Sequence, residues 1–388
     1  MTVGRAVPGR GGDVTDTAGP PSGDDGRGAA RIPAAAAADS VNSVDSVAAA
    51  RSRERARGNA LRAGGALLAA GLLVLAVIAS LAVGSKAIPF GDVVRLLLHP
   101  DNSDAAHVIQ ELRVPRTLLG LGVGASLALA GALMQALTRN PLADPGILGV
   151  EAGAVIAIAA AIGLFGLHGL GEFVWFSFAG SAITAVVVYL IGSSGRTGAT
   201  PVRLALAGTA VSAALAASTQ AFVLTDPKAF EQYRYWGTGA LSGHDLAVAV
   251  KVAPFMLAGL VIAMSLGKSL NAIALGDDMG QALGVRPGRT RALGVVAVTL
   301  LCGAATAAVG PIGFVGLVVA QAARLVVGQD NRWVLLYSLL LGPVLLLVAD
   351  IVGRLVLWPA ELEAGVVTAF IGMPVFLALV RRRRIAQL

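Results

Sequence analysis

A lone cysteine, Cys302, leaves no partner for a disulfide, and it falls inside an apolar run, so no disulfide framework supports this chain. Histidine is nearly as scarce. His99, His107, His168 and His244 are scattered over predicted loops without a second ligand at metal-binding spacing, which points away from a metal centre. Charged residues make up only 14% of the sequence and aromatics 5%, a balance foreign to soluble domains. A phosphate loop is missing too. Gly267-Lys268-Ser269 resembles the end of one, but Ile262 stands where its first glycine is required, so no nucleotide site, catalytic residue or cofactor is expected. Mid-span acid is also rare, against the pattern of ion-coupled relays. Glu151 opens one apolar run, and Asp350 closes another four residues before Arg354, spaced for a local ion pair on one helix face.

What the chain does have is lipid-compatible length. Hydrophobic residues reach 56%, in repeated runs of about 20 that match a bilayer core. Ten candidate spans follow: Leu61–Val83, Arg116–Ala136, Ile147–Phe165, Phe173–Ile191, Val202–Leu224, Leu246–Leu266, Ala292–Val309, Ile312–Val327, Val334–Leu357 and Gly365–Val380. The eighth is short enough to lean on protein rather than lipid. This is the pattern of an all-α polytopic membrane protein, with a permease domain over 58–388. Residues 1–57, rich in Gly, Ala, Asp, Ser and Pro, read as a disordered tail without the apolar core of a cleaved signal.

With ten spans the termini share a side, which carries 18 of the 30 Lys and Arg residues against eight on the other. Basic residues near span ends stay in the cytoplasm, so both termini are expected there, in a bacterial inner membrane crossed many times. The net charge of +7 then reflects topology and not nucleic acid. Trp175, Trp236, Trp333 and Trp358 all fall at span ends, where headgroups favour them.

One stretch breaks the apolar pattern. Residues 267–291, GKSLNAIALGDDMGQALGVRPGRTR, carry helix formers on either side of a Gly-Asp-Asp break and end on Pro287-Gly288, the signature of two short helices on the cytoplasmic face. A charged helix pair on a greasy protein is a docking device. Two further breaks, Asn140 to Gly146 and Gly310 to Gly313, place rigid backbone between spans, tolerated only under cover of protein or water. Gly120, Gly122, Gly124, Gly149 and Gly153 allow close helix approach.

The segments ELRVPRTLLGLGVGASLALAGALMQALTRNPLADPGILGVEAGA, RYWGTGALSG, LGDDMGQALGV, GPIGFVGLVV and ELEAGVVTAFIGMPVFL resemble, in order and spacing, the FecCD-type permeases of bacterial ABC importers for iron-siderophores, haem and cobalamin. The resemblance covers nearly everything from Leu61 onward. It implies a type II importer permease fold of ten helices and a pairing with a second permease subunit, identical or related. It also implies two cytoplasmic ATPase subunits, an extracytoplasmic substrate-binding protein, and ferric-siderophore as cargo ahead of haem or cobalamin. An ion-coupled secondary transporter is the alternative class. By resemblance, Gly276, Asp277, Asp278, Ala282, Leu283, Gly284 and Val285 form the ATPase-coupling segment. Arg113, Arg116 and Arg354 are expected to receive acidic residues of the binding protein, and Thr209, Ser212, Ser218, Thr219 and Gln220 to line the pathway. Two places depart from the family pattern. Ala320-Gln321 replace Pro-His, and Glu363-Ala364 replace Pro-Val.

Overall fold

A computed structural model describes residues 34–84, 88–99, 101–167, 170–194, 201–225, 236–357 and 360–383. His168, Trp358, Arg196, Lys228, Arg234 and the tail before residue 34 lie outside them. Two compact units divide at Arg57 and Gly58. In the first, backbone helix begins at Ala34, within the stretch whose composition reads as disordered. The alanines from Ala34 to Ala38 and Ala48 to Ala50 have the highest helix propensity of any residue.

The helices in chain order are α1 (Ala34–Ala82), α2 (Phe90–Leu98), α3 (Asp104–His107), a π-turn (Val108–Arg113), α4 (Val114–Thr138), a 3-10 turn (Pro145–Leu148), α5 (Val150–Phe165), α6 (Leu170–Ser193) and α7 (Pro201–Thr225). They continue with α8 (Leu246–Ser265), α9 (Gly267–Ala274), α10 (Asp277–Ala282), α11 (Pro287–Val309), α12 (Val315–Val327), α13 (Asn331–Val356) and α14 (Ala364–Arg383). Among the described residues, seven helices are long and apolar enough to cross a bilayer, and three shorter apolar helices occupy the third, eighth and tenth expected spans. The chain is an all-helical polytopic membrane protein.

Span two differs from its expected start. Helix runs without interruption from Asp104 through the π-turn to Thr138, which carries Arg113 and Arg116 inside the helical stretch and not ahead of it. Pro287 is the other surprise: instead of only ending the polar pair, it opens α11 at its first turn, where a missing N–H costs nothing and the fixed φ suits a helix.

The second unit is built around α4. Its most apolar 18-residue window is 78% buried, against 17% for the apolar part of α1, so α4 is the central post and α1 a peripheral one. Glycine makes this possible. A Cβ on Gly316 of α12 would stand 2.7 Å from the Leu127 carbonyl oxygen and 2.9 Å from the Gly131 Cα of α4; one on Gly124 would stand 2.7 Å from the Gly342 oxygen of α13. Backbone touches backbone there, as small residues permit where lipid supplies no hydrophobic drive. Gly316→Ala is therefore expected to force α4 and α12 apart and cost about 1–3 kcal/mol, measured by thermal unfolding in detergent. An unchanged melting curve would contradict the packing.

The two expected breaks are present. Asn140 to Asp144 has no helix, and Asp144 accepts from the Gly146 N–H at 3.0 Å to start the 3-10 turn. Gly310 to Gly313 separates α11 from α12, and the Ala240 N–H satisfies the Val309 carbonyl at 2.9 Å. The short eighth span, α12, is 13 residues long and packs on α4, α13 and α14. It does lean on protein.

Candidate functional site

The polar stretch forms the two short helices its sequence predicts. Gly276, with φ 116°, turns the chain between α9 and α10, a conformation side chains resist. α10 then lies on α9: a Cβ on Gly280 would meet Ala272 and Ile273 at 3.5 Å, ordinary contact. The pair is stapled to the spans at two points. Asp277 accepts from Arg139, at the end of α4, at 2.7 Å and from Arg291 of α11 at 2.8 and 2.9 Å. Burial opposes the charged carboxylate, yet the Arg291 and Arg139 contacts outweigh it and hold Asp277 below its ordinary pKa. Arg139 also donates to the Ile273 carbonyl of α9. On the other flank, Asn271 of α9 donates to Asp330 at 2.7 Å and accepts from the Asn331 N–H of α13 at 2.8 Å.

So the hairpin is gripped by α4, α11 and α13, while its outer face is apolar. Leu275, Met279 and Leu283 are 68%, 54% and 59% exposed. Asp278, Ala282 and Gly284 are exposed beside them, and Val285 is half-buried. Met279 and Leu283 are four residues apart along α10, and Leu275 precedes them at the end of α9. Of the expected coupling residues, Asp277 is thus an anchor to the spans and Leu283 is exposed. Sequence reading missed Arg139, Asn271 and Arg291, whose partners lie up to 138 residues away.

Two of the three arginines expected to dock, Arg113 and Arg354, meet the end of α1. A helix leaves its last carbonyls without partners, and cations suit that end. Arg113 donates to the Leu81 and Ala82 carbonyls at 2.7 and 2.8 Å, and Arg354 to those of Ser80 and Val83, both at 2.9 Å. Asp350, fully buried, binds Arg354, the ion pair expected from their spacing. It also takes a forked contact from Arg116 at 2.7 and 3.0 Å, and Arg116 reaches Glu361 at 2.7 Å. Their guanidinium groups are turned inward and engaged, with Arg116 the more open, bordering a cavity of about 660 Å³ that Gln110, Glu111, His244, Asp245 and Glu361 also line. Glu363 lies nearby, its carboxyl pushed up by burial.

The polar residues of α7 divide. Thr219 is buried, Ser212 is half-buried and donates to the Gly146 carbonyl at 3.2 Å, and Thr209, Ser218 and Gln220 are exposed. The hydroxyls of Thr209, Ser218 and Thr219 return to carbonyls three or four residues back in their own helix. Gln321, at the departure in α12, does not break the helix. It donates to the Pro141 carbonyl at 2.6 Å and to Gln135 of α4 at 3.2 Å, fastening the Asn140 break to two spans.

Among the described residues, ten apolar helices carry a stapled polar hairpin, an arrangement that fits the family resemblance read from the sequence. The comparisons agree. Residues 72–382 match the model of the FecCD transport family. The chain is 45% identical over 305 residues to the ferric enterobactin transport system permease protein FepD of Escherichia coli (strain K12), covering 78% of this chain and 91% of that one. It is 41% identical over 304 residues to the probable siderophore transport system permease protein YfiZ of Bacillus subtilis (strain 168), with the same coverage. It also superposes with a TM-score of 0.72, at 27% identity, on a solved chain described as an inward-facing metal-chelate type ABC transporter, over 82% of this chain and 98% of that one. The chain belongs to the FecCD transport family.

Proposed function

We propose that this permease carries ferric-siderophore inward, driven by two ATPase subunits that seat the hairpin from the cytoplasm. The observation that carries the coupling is the hairpin itself. The exposed apolar side chains of Leu275, Met279 and Leu283 give a partner something to hold, and the Asp277 staple to Arg139 and Arg291 passes its displacement to α4 and α11. Nucleotide can shift the pathway only through its differential affinity for two arrangements of the spans. Both termini are then cytoplasmic, with a second permease subunit, identical or related, closing the pathway against the weakly buried α7. Thr209, Ser218 and Gln220 face that pathway, polar without charge. On the opposite side a binding protein docks over the end of α1, where Arg116 is the reachable member of the expected set and Arg113 and Arg354 hold the platform. The cargo is inferred from the relatives: enterobactin for FepD, a siderophore for YfiZ, and iron-citrate for a third at 42% identity.

Cobalamin is the second reading, since the cobalamin import permease BtuC of Halobacterium salinarum is 38% identical over 285 residues. Uptake of labelled ferric-catecholate, ferric-citrate, haem and cobalamin in a deletion strain restored with this gene separates the two. Iron chelates are expected to enter and cobalamin not to. Cobalamin uptake without iron uptake would overturn the assignment.

A further inference from the structure

An apolar groove of about 430 Å³ runs between α6 and α11, walled by Ala182, Val186 and Tyr189 on one helix and by Ala292, Val296 and Thr299 on the other. The helices are antiparallel. Ser177 donates to the Gly303 carbonyl at 3.1 Å, and the Phe178 ring lies over Gly303, beyond the end of the groove far from the hairpin. Phe178 also packs on Phe255 with ring centroids 4.3 Å apart, so an aromatic cluster closes that end. Tyr189 and Ala292 mark the end toward the hairpin. There Arg289 continues the same face of α11, three residues before Ala292, and is exposed. α11 begins two residues earlier at Pro287, so its unpaired N–H groups add positive character to the mouth.

The Thr299 hydroxyl on the wall is committed to the Val295 carbonyl at 2.9 Å, which leaves the slot between Val186 and Val296 apolar. Nor is this the flank of α6 that meets α7. Thr184 and Val188 face Gly149, and Gly192 meets Leu204 of α7, which places the groove on another side of the helix.

We propose that the groove holds an acyl chain of an anionic phospholipid from the leaflet on the hairpin side, with the phosphate against Arg289. A lipid tail gains little hydrophobic free energy by exchanging lipid neighbours for apolar side chains, so the slot sets shape and the headgroup sets selection. Near the surface one arginine favours an anionic headgroup about fivefold. The inference rests on the membrane reading alone and is independent of the cargo.

The test is lipid retention by the purified full-length chain, read by native mass spectrometry after exchange into nanodiscs of phosphatidylglycerol and phosphatidylcholine. Phosphatidylglycerol is expected to be retained about fivefold over phosphatidylcholine. Arg289→Lys keeps that preference and Arg289→Glu removes it; Val296→Trp, which fills the slot, lowers retention of both lipids. Equal retention by the native chain, or a preference that survives Arg289→Glu, overturns the proposal. So does a disulfide between two copies through Val186→Cys, which would seat a second permease on this face. Because the readout is bound lipid, loss of uptake in any variant leaves the result interpretable.

Discussion

Asp350→Ala is expected to cripple the fold, lowering stability by about 3–5 kcal/mol, because it strips the anion from two guanidinium groups at once. Asp350 is fully buried, Arg354 is 3% exposed, and the Arg116 side chain is 12% exposed. Left without the carboxylate, Arg354 keeps only the Ser80 and Val83 contacts at the end of α1, and Arg116 keeps only Glu361. Two like charges then face each other in a place water reaches poorly. Removing the pair together costs less. Asp350→Leu with Arg354→Met replaces buried charge with apolar volume and is expected to recover part of the loss, though not all, since the Ser80 and Val83 carbonyls lose their donor and Arg116 loses its carboxylate. Thermal unfolding of the detergent-purified proteins, with membrane yield as a check, reads both. A single variant within about 1 kcal/mol of the native chain would show that the network holds no load.

The second large effect lies on the hairpin and is of another kind. Changing Leu275, Met279 and Leu283 together to serine leaves the chain folded, because all three are more than half exposed and support no core. Association with the ATPase should fail. Truncating an apolar anchor at an interface costs on the order of 1–2 kcal/mol, so three compound to at least a hundredfold loss of affinity. Co-purification of ATPase with tagged permease, alongside uptake, measures it. Wild-type recovery of the ATPase with the triple variant correctly inserted would refute the coupling reading. Asp277→Ala should behave differently. Its ion pairs are 28–42% exposed at the arginines and are worth little as stability, so the ATPase still binds while transport falls. Binding kept and work lost is the signature expected of a staple.

Much of this was legible in the residues. Ten apolar runs gave ten helices, because hydropathy over about 20 residues is a local property that lipid enforces. The Gly-Asp-Asp break gave the hairpin turn, since Gly276 takes a φ few other residues accept. The Asp350 and Arg354 pair followed from four-residue spacing on a helix. The boundaries that slipped did so where one rule met another. The helical N-terminal part of α1 answered to alanine propensity against a disordered composition, and Pro287 served as a first-turn proline against its usual role as a breaker.

What the sequence determined alone is the solvent, the ten apolar helices and the presence of a polar helical hairpin, because each is written in contiguous residues. Only the tertiary structure decided which charges meet. Arg139 finds Asp277 across 138 residues, Arg116 finds Asp350 across 234, and Arg354 caps α1 across 274. Thirty basic side chains offer many partners in one dimension, and the choice among them is made by which helices glycine lets come close. That choice makes Arg113 and Arg354 a cap for α1, and makes Asp277, an expected coupling residue, the anchor of the hairpin.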